Sequence, residues 1–539
     1  MREMHGRTAD DGELLVVADR VHTMRPGGPG TARPLPDALL VRAGDVAAVG
    51  PADELRKAVP EAPVVDLRGS VITPGLTDSH LHLLEWARAR REVDLSRAST
   101  PEGAAEAVAR EAHEAGEGWI RGRGWSRHRL GGFPHRSDLD AHLPDRPVAL
   151  QSHDMHALWL NSEALRRLGL DENTPDPADG RLIRDADGRL TGVLLENAVQ
   201  LATEGIPEPG DEQLLEDVRE AQAALHRRGF TGVHSIEMHG SRFRSLRLLR
   251  RLRERDELRL RVLQHLPHGL LEAAVELGLR SGYGDELLRV GALKFFLDGT
   301  LGSGTAWLSE PGARAGAGEP LLSPSEFRAR VESAAAVGLS SAVHAIGDEA
   351  VQQAAECLSG AATGDLPMPP RVEHAQLVDP DRLSRDLATG LVFSVQPAHF
   401  YSDWRDAEEQ WGPERCRGAF AFQTLLDRDG TLAFGSDAPV EPPDPGRALF
   451  AATARRGLDG EPSGGWHPEQ RISVREAFCA YTTGPAAAAG DENRSGRLLP
   501  GFRADLVAWD RDPLSAVGRG LLEMEPVATM VGGEVVWRG

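Results

Sequence analysis

Apolar and polar positions along the chain fall into three textures. Residues 14–72 alternate in short runs, LLVVADRVHTM, DALLVRAGDVAAVG and PVVDLRGSVITP, with Gly, Pro and Asp between them. Such alternation predicts the short strands of a small β domain. The same texture returns near the C-terminus in GFRADLVAWD and EPVATMVGGEVVWRG, so residues 1–72 and 496–539 are expected to join in one β-sandwich domain. The long middle alternates apolar runs with amphipathic stretches such as SEFRARVESAAAVG and SVREAFCAYTTGPAAAAG, the signature of βαβ units. No repeat of fixed period stands out, which argues against a solenoid or propeller.

Eight apolar runs in the middle read as core strands: VITPGLTDSH (71–80), FTGVHSIEM (230–238), LRLRVLQHL (258–266), VGALKFFLD (290–298), LSSAVHAIG (339–347), PRVEHAQLV (370–378), GLVFSVQPA (390–398) and GTLAFGSDA (430–438). Eight strands with crossover helices predict an α/β fold, a closed (β/α)8 TIM barrel over 73–495, with its active site at the strands' C-terminal ends. The gap from the first run to the second, 81–229, is too long for one crossover helix. It carries strand and helix signals of its own, so an inserted lid subdomain is expected over about 90–215, covering the barrel mouth. Within it PVALQ competes as a ninth barrel strand, and the insertion is preferred for the way eight strands place the polar residues.

Composition narrows the partners. The chain of 539 residues is 40% hydrophobic and 27% charged, ordinary for a globular protein with a sizeable core. Its formal net charge of -21 argues against nucleic acid and anionic membranes, which favour a basic face. The helical runs RARR and RLLRRLRERDELRLR interleave arginine with leucine and acid and carry no nucleic-acid reading. The three cysteines, Cys357, Cys416 and Cys479, form neither a disulfide framework nor a zinc knuckle. The opening MREMHGRTADDGELL has no apolar signal core, and no window approaches the 18 apolar residues of a membrane span. A cytoplasmic protein with a small-molecule substrate is expected, and frequency favours a homodimer.

Lysine is the informative residue. Lys57 and Lys294 are the only two, the rest of the 61 basic residues being arginine. Lys57 lies in the polar stretch ADELRKAVPEAP and reads as a solvated charge. Lys294 lies inside VGALKFFLDGT, where a buried amine needs a reason; an amine, unlike a guanidinium, loses its proton readily enough for nucleophilic or carbamate chemistry.

His80 and His82 close the first strand, two apart and on one side of it. Two such imidazoles hold a metal as neutral ligands, or are simply polar residues at a strand end. Lys294, His344, His374 and Asp437 then fall on strands four, five, six and eight, each within or closing an apolar run and each directed at the same mouth.

With these residues in view the sequence resembles the amidohydrolase superfamily of metal-dependent hydrolases. TPGLTDSHLHL is similar to its opening PGxxDxHxH pattern. Within it the chain resembles the YtcJ-like branch, which includes N-substituted formamide deformylase. The similar runs are WIRGRGW, PDRPVALQSHDMHALWLNSEAL, KFFLDGTLGSGTA, VHAIGDEAV, RVEHAQLV, SVQPAHF, FGSDAPV and GFRADLVAWDRDP, covering most of the chain from residue 70. Where that branch reads Asp-Gly-His, this chain has Asp154, Met155 and His156.

The resemblance implies a metal set of His80, His82, Lys294, His344, His374 and Asp437, one or two Zn2+ per chain or another divalent ion, and Lys294 carboxylated on its amine. His80 and His82 would hold one metal and His344 and His374 the other, bridged by Lys294, with Asp437 near the first. Metal-activated hydroxide would attack a carbonyl, and Asp437 would carry the proton to the leaving nitrogen. A mononuclear site with unmodified Lys294 stays open. Substrate contacts are expected from Trp125, His156, Asp298, Gln396 and His399. The reaction read this way is hydrolysis of a non-peptide C–N bond, in an N-substituted amide or formamide. Lactone, carbamate or ester hydrolysis on the same site, or a binding or regulatory protein without turnover, are the alternatives.

Overall fold

The computed structural model describes residues 12–26, 35–112, 118–127, 129–152, 157–177, 180–203, 205–237, 244–314, 316–361 and 366–539. The chain divides into two compact units, Leu84–Val218 and the remainder, Met1–Leu83 with Arg219–Gly539.

The larger unit is built on eight parallel strands that neighbour one another in chain order. They are β1 (Leu76–Leu81), β2 (Phe230–Ser235), β3 (Arg261–Pro267), β4 (Leu288–Phe296), β5 (Ser341–Ala345), β6 (Arg371–His374), β7 (Val392–Val395) and β8 (Thr431–Phe434). All eight expected barrel strands are present. β2, β5, β6 and β7 are buried along their whole length, as strands covered on both faces must be. Just past β8 the chain bonds back to β1: Asp437 N–H donates to His80 O (2.7 Å) and His82 N–H to Ala438 O (2.9 Å).

The first expected strand is in fact two. Val71–Pro74 pairs antiparallel with Leu506–Trp509 in the terminal sheet, and only Leu76–Leu81 enters the barrel. Pro74 brings no N–H to a ladder. Gly75 follows it at a spot where a Cβ would stand 2.3 Å from the Thr231 side chain. The Gly75 N–H is given to Asp505 O in one sheet and the Leu76 N–H to Gly229 O beside the other. The chain changes sheets there, at residue 75 rather than at the 72/73 boundary read from sequence.

Both termini contribute to a β-sandwich. One sheet holds Asp45–Gly50, Ala38–Arg42, Glu13–Val17 and Val64–Asp66; the other holds Arg20–Val21, Val71–Pro74, Leu506–Trp509, Pro526–Val531 and Glu534–Arg538. Val16, Leu39 and Val41 share one apolar cluster with Leu506, Ala508 and Met530.

The smaller unit has a six-stranded sheet of its own, in the order Gly180–Arg184, Leu190–Glu196, Ala157–Leu160, Val148–Ser152, Ile120–Trp125, Val93–Asp94. PVALQ lies in this sheet and not in the barrel. Among the described residues no helix is long and apolar enough to cross a membrane.

Candidate functional site

The C-terminal ends of the barrel strands converge on a cluster of imidazoles and one carboxylate. His80 lies in β1 and His82 directly after it. Asp437 follows β8 with a positive φ of 57°, and His374 ends β6 with a φ of 68°. The left-handed region is uncommon outside glycine, although Asp and His enter it more readily than most residues; strain of this kind costs about 1–3 kcal/mol and is held by surrounding structure. Gly435 permits the approach of β8 to β1, because a Cβ there would stand 2.6 Å from the Cβ of His80.

Nε2 of His80 and Nε2 of His82 lie 3.3 and 3.0 Å from the same oxygen, Oδ1 of Asp437. Their other nitrogens are already committed. Nδ1 of His80 donates to Glu373 Oε2 (2.7 Å) and Nδ1 of His82 donates to the carbonyl of Ile236. Neither acceptor has a proton to give, so the Nδ1 positions must carry the hydrogens. A ring that carries its proton on Nδ1 alone directs its Nε2 lone pair at this carboxylate oxygen, as in a metal site, and a ring protonated on both nitrogens donates Nε2–H to it. Burial by itself would raise the Asp437 carboxyl, but the charge and hydrogen bonds of His80 and His82 hold it well below the usual carboxylate range.

Beside this group stand Lys294, His344, His374 and His399. Lys294, on β4, is 1% exposed; its Nζ has no hydrogen-bond partner and lies 4.8 Å from the centre of the Phe296 ring. Burial draws its ammonium down to about 8, against the opposing pull of Glu373 and Asp437. His344 donates Nε2–H to Gly299 O (2.9 Å), leaving the Nδ1 lone pair free, and burial lowers its pKa to about 3. The rings of His344 and His374 are 4.5 Å apart and those of His80 and His374 4.9 Å. Nδ1 of His374 is buried without a partner, and burial followed by His344 keeps this ring neutral. His399 Nε2 lies 3.6 Å from Asp437 Oδ2, the oxygen that His80 and His82 leave alone. Among the described residues two groups have ligand atoms close enough to share an ion: His80, His82 and Asp437, and His374, His399 and Asp437. Neutral imidazoles, one carboxylate and an orphaned buried amine suit a divalent metal.

A family model described as the amidohydrolase family matches residues 63–537. This chain belongs to the amidohydrolase family. It is 28% identical over 516 residues to "Putative amidohydrolase YtcJ" of Bacillus subtilis (strain 168), covering 93% of this chain and 96% of that one. It is 29% identical over 522 residues to N-substituted formamide deformylase of Arthrobacter pascens, covering 92% and 94%. Among solved structures it is similar to an uncharacterized metal-dependent hydrolase from Pyrococcus horikoshii OT3, with a TM-score of 0.78, 28% identity, and 94% and 99% of the two chains covered.

Not every residue singled out from the sequence faces the amidohydrolase site. Asp298 is 1% exposed, and its carboxylate accepts the N–H groups of Trp307 (2.9 Å), Ile346 (3.0 Å) and Gly347 (2.8 Å). It ties the loop after β4 to the end of β5, so its carboxylate is engaged by backbone donors rather than in the substrate contact expected of it. Burial pushes this carboxyl up to about 7. Trp125 is likewise a correction. It is buried in the core of the smaller unit, edge-on to Trp159, with its indole N–H given to Leu150 O (2.8 Å). Gln396 is buried and donates to Ser394 O (3.2 Å). His156, with Asp154 and Met155, lies outside the described residues.

Sequence reasoning missed Glu373 and Arg371, which lie under the amidohydrolase site. Both are fully buried in β6. Burial would raise the Glu373 carboxyl, but Arg371 and then His80 hold it well below its ordinary range. A signal was present: RVEH places an arginine and a glutamate two apart, hence on one side of a strand with no exposed face. Asp78 was also passed over. Its Oδ1 accepts from the N–H groups of His80 (3.1 Å) and Ser436 (3.0 Å), joining the ends of β1 and β8.

Proposed function

We propose that this chain hydrolyses a carbon–nitrogen bond other than a peptide bond, in an N-substituted amide or formamide, with the help of divalent metal. The observation that carries the reading is the meeting of two Nε2 atoms, from His80 and His82, on one oxygen of Asp437. On this reading His80, His82 and Asp437 hold one metal, and Lys294, His344 and His374 hold a second, with zinc as the default ion. Bound there, the metal supplies a hydrolytic nucleophile at neutral pH by lowering the pKa of water.

The chain's own side chains do the rest. Asp437 accepts the proton of the nucleophile and delivers it to the departing nitrogen, since C–N cleavage needs the amine to leave protonated. Lys294 has a buried, unpartnered amine of lowered pKa; once deprotonated it could add carbon dioxide, releasing a proton, and as a carbamate would offer two oxygen donors to metal. His399 belongs to the substrate side, because its buried Nε2 has no hydrogen-bond partner and stands beside the free oxygen of Asp437. The likeness to N-substituted formamide deformylase supports the bond class.

The test is metal content by elemental mass spectrometry on wild type and Lys294→Ala, followed by a panel of formamides, amides, carbamates, lactones and esters. Two zinc per chain, falling on the substitution, with turnover of the formamides or amides, is the expected result. One zinc unaffected by the substitution leaves a mononuclear site and removes the bridging role of Lys294. Turnover confined to lactones or esters moves the bond class. No metal in either protein, with none taken up on reconstitution, overturns the hydrolase reading in favour of a binding protein.

A further inference from the structure

For Nε2 of His80 to serve as a metal ligand its proton must sit on Nδ1, and Nδ1 faces a buried ion pair inside the barrel. Arg371 and Glu373 are the first and third residues of β6. Their partners are Ser79 and His80 on β1 and His234 on β2, strands that do not pair with β6, so both side chains cross the barrel interior. Arg371 Nε donates to Glu373 Oε1 (2.5 Å) and Nη2 to Oε2 (3.1 Å), a bidentate pair. Two further donors go to Ser79 O (2.6 Å) and to Nδ1 of His234 (2.9 Å). Glu373 Oε2, which also accepts from Nη2, takes the Nδ1–H of His80 at 2.7 Å.

Stability alone does not account for such a pair. Two charges at 0% exposure carry a desolvation cost that apolar residues of similar volume avoid, and such replacements are often neutral or stabilising. A carboxylate on the far nitrogen of a metal-facing histidine, by contrast, fixes tautomer and ring orientation and makes the ring a stronger ligand. β6 also runs directly from Glu373 into His374, so one strand end supplies a side chain to one half of the centre and the support for the other.

We propose that Glu373, paired with Arg371, is a positioning residue that locks His80 in its Nδ1–H tautomer and thereby sets the metal affinity of the His80–His82–Asp437 half of the centre. This inference rests on the metal-centre reading above.

The experiment measures Zn2+ affinity of the full-length protein by chelator competition, and the visible spectrum of its Co2+ form. The variants are Glu373→Gln and the double variant Arg371→Met with Glu373→Leu. If Glu373 served only to neutralise Arg371, the double variant, which strands no charge, would bind metal as wild type does. The proposal expects both variants to lose about 10- to 100-fold in affinity for one of the metals and to show an altered Co2+ spectrum. Wild-type affinity and spectrum in the double variant overturn it. So does a Glu373→Gln protein with lowered Tm but unchanged affinity and spectrum, a comparison that stands even if the double variant does not fold. A wild-type protein that takes up no metal overturns the metal-centre reading and this inference together, and is distinguishable from variants that bind as wild type does.

Discussion

Asp437 Oδ1 stands 3.0 Å from Nε2 of His82 across a separation of 355 positions. Closure of the barrel makes the contact: β8 arrives beside β1, Gly435 lets the two backbones approach, and the positive φ of Asp437 turns its carboxylate toward the histidines. Asp437→Asn keeps the shape but presents an amide that donates to the same lone pairs. We expect zinc content to fall by at least one equivalent and turnover of the best amide substrate to fall by about 10²–10⁴-fold, the usual worth of a general acid–base group. Elemental analysis and steady-state kinetics check both; full zinc content in the variant contradicts the assignment.

Asp78 makes a different prediction, about stability. Its Oδ1 receives two backbone N–H groups from opposite ends of the barrel seam, and burial pushes its carboxyl up to about 6. Asp78→Ala strands both donors, at about 1–3 kcal/mol each. Asp78→Asn retains an acceptor oxygen and costs less. Thermal unfolding of metal-free proteins is expected to rank wild type above Asn above Ala, and an Ala variant as stable as wild type would refute the seam role.

The clamp of Asp298 on Trp307, Ile346 and Gly347 predicts a local effect. In Asp298→Ala the loop 299–307 loses its tie to β5. Limited proteolysis is expected to cut within that loop in the variant under conditions where wild type survives. Cleavage elsewhere at equal rates would show that the clamp does not hold the loop.

A pH-dependent contribution is expected where the two termini meet. Asp512 pairs with Arg20 (2.8 Å) and His22 (2.8 Å), and its pKa is lowered; burial opposes the shift, which comes from the charge and hydrogen bond of His22 together with backbone contacts. A carboxyl lowered in the folded state stabilises above its unfolded value, about 3.9, and that contribution is lost as pH falls through the folded value. The urea midpoint of Asp512→Asn should therefore lie below wild type at pH 7, by the equivalent of about 1 kcal/mol, and the gap should close toward pH 3. A gap that persists unchanged at pH 3 would mean the pair acts through packing instead.

All eight barrel strands were legible because strands covered on both faces leave long apolar runs in the chain. Where two strands met end to end, at Pro74 and Gly75, the run looked continuous: the change of sheet is made by backbone hydrogen bonds to Asp505 and Gly229, which leave no side-chain pattern. Asp298 and Trp125 were misjudged for a related reason. A polar or aromatic residue near a strand end reads as available, yet whether it faces ligand or is consumed by backbone donors depends on neighbours far along the chain.

The sequence by itself determined the fold class, the terminal β domain, and the presence of a histidine, lysine and aspartate set at one end of the barrel, since hydrophobic periodicity and residue type are local properties. Only the tertiary structure decided which imidazole nitrogen carries its proton, that His399 joins the cluster, and that an Arg371–Glu373 pair lies beneath it. Those depend on distances between strands remote in sequence, which barrel closure sets and no local pattern records.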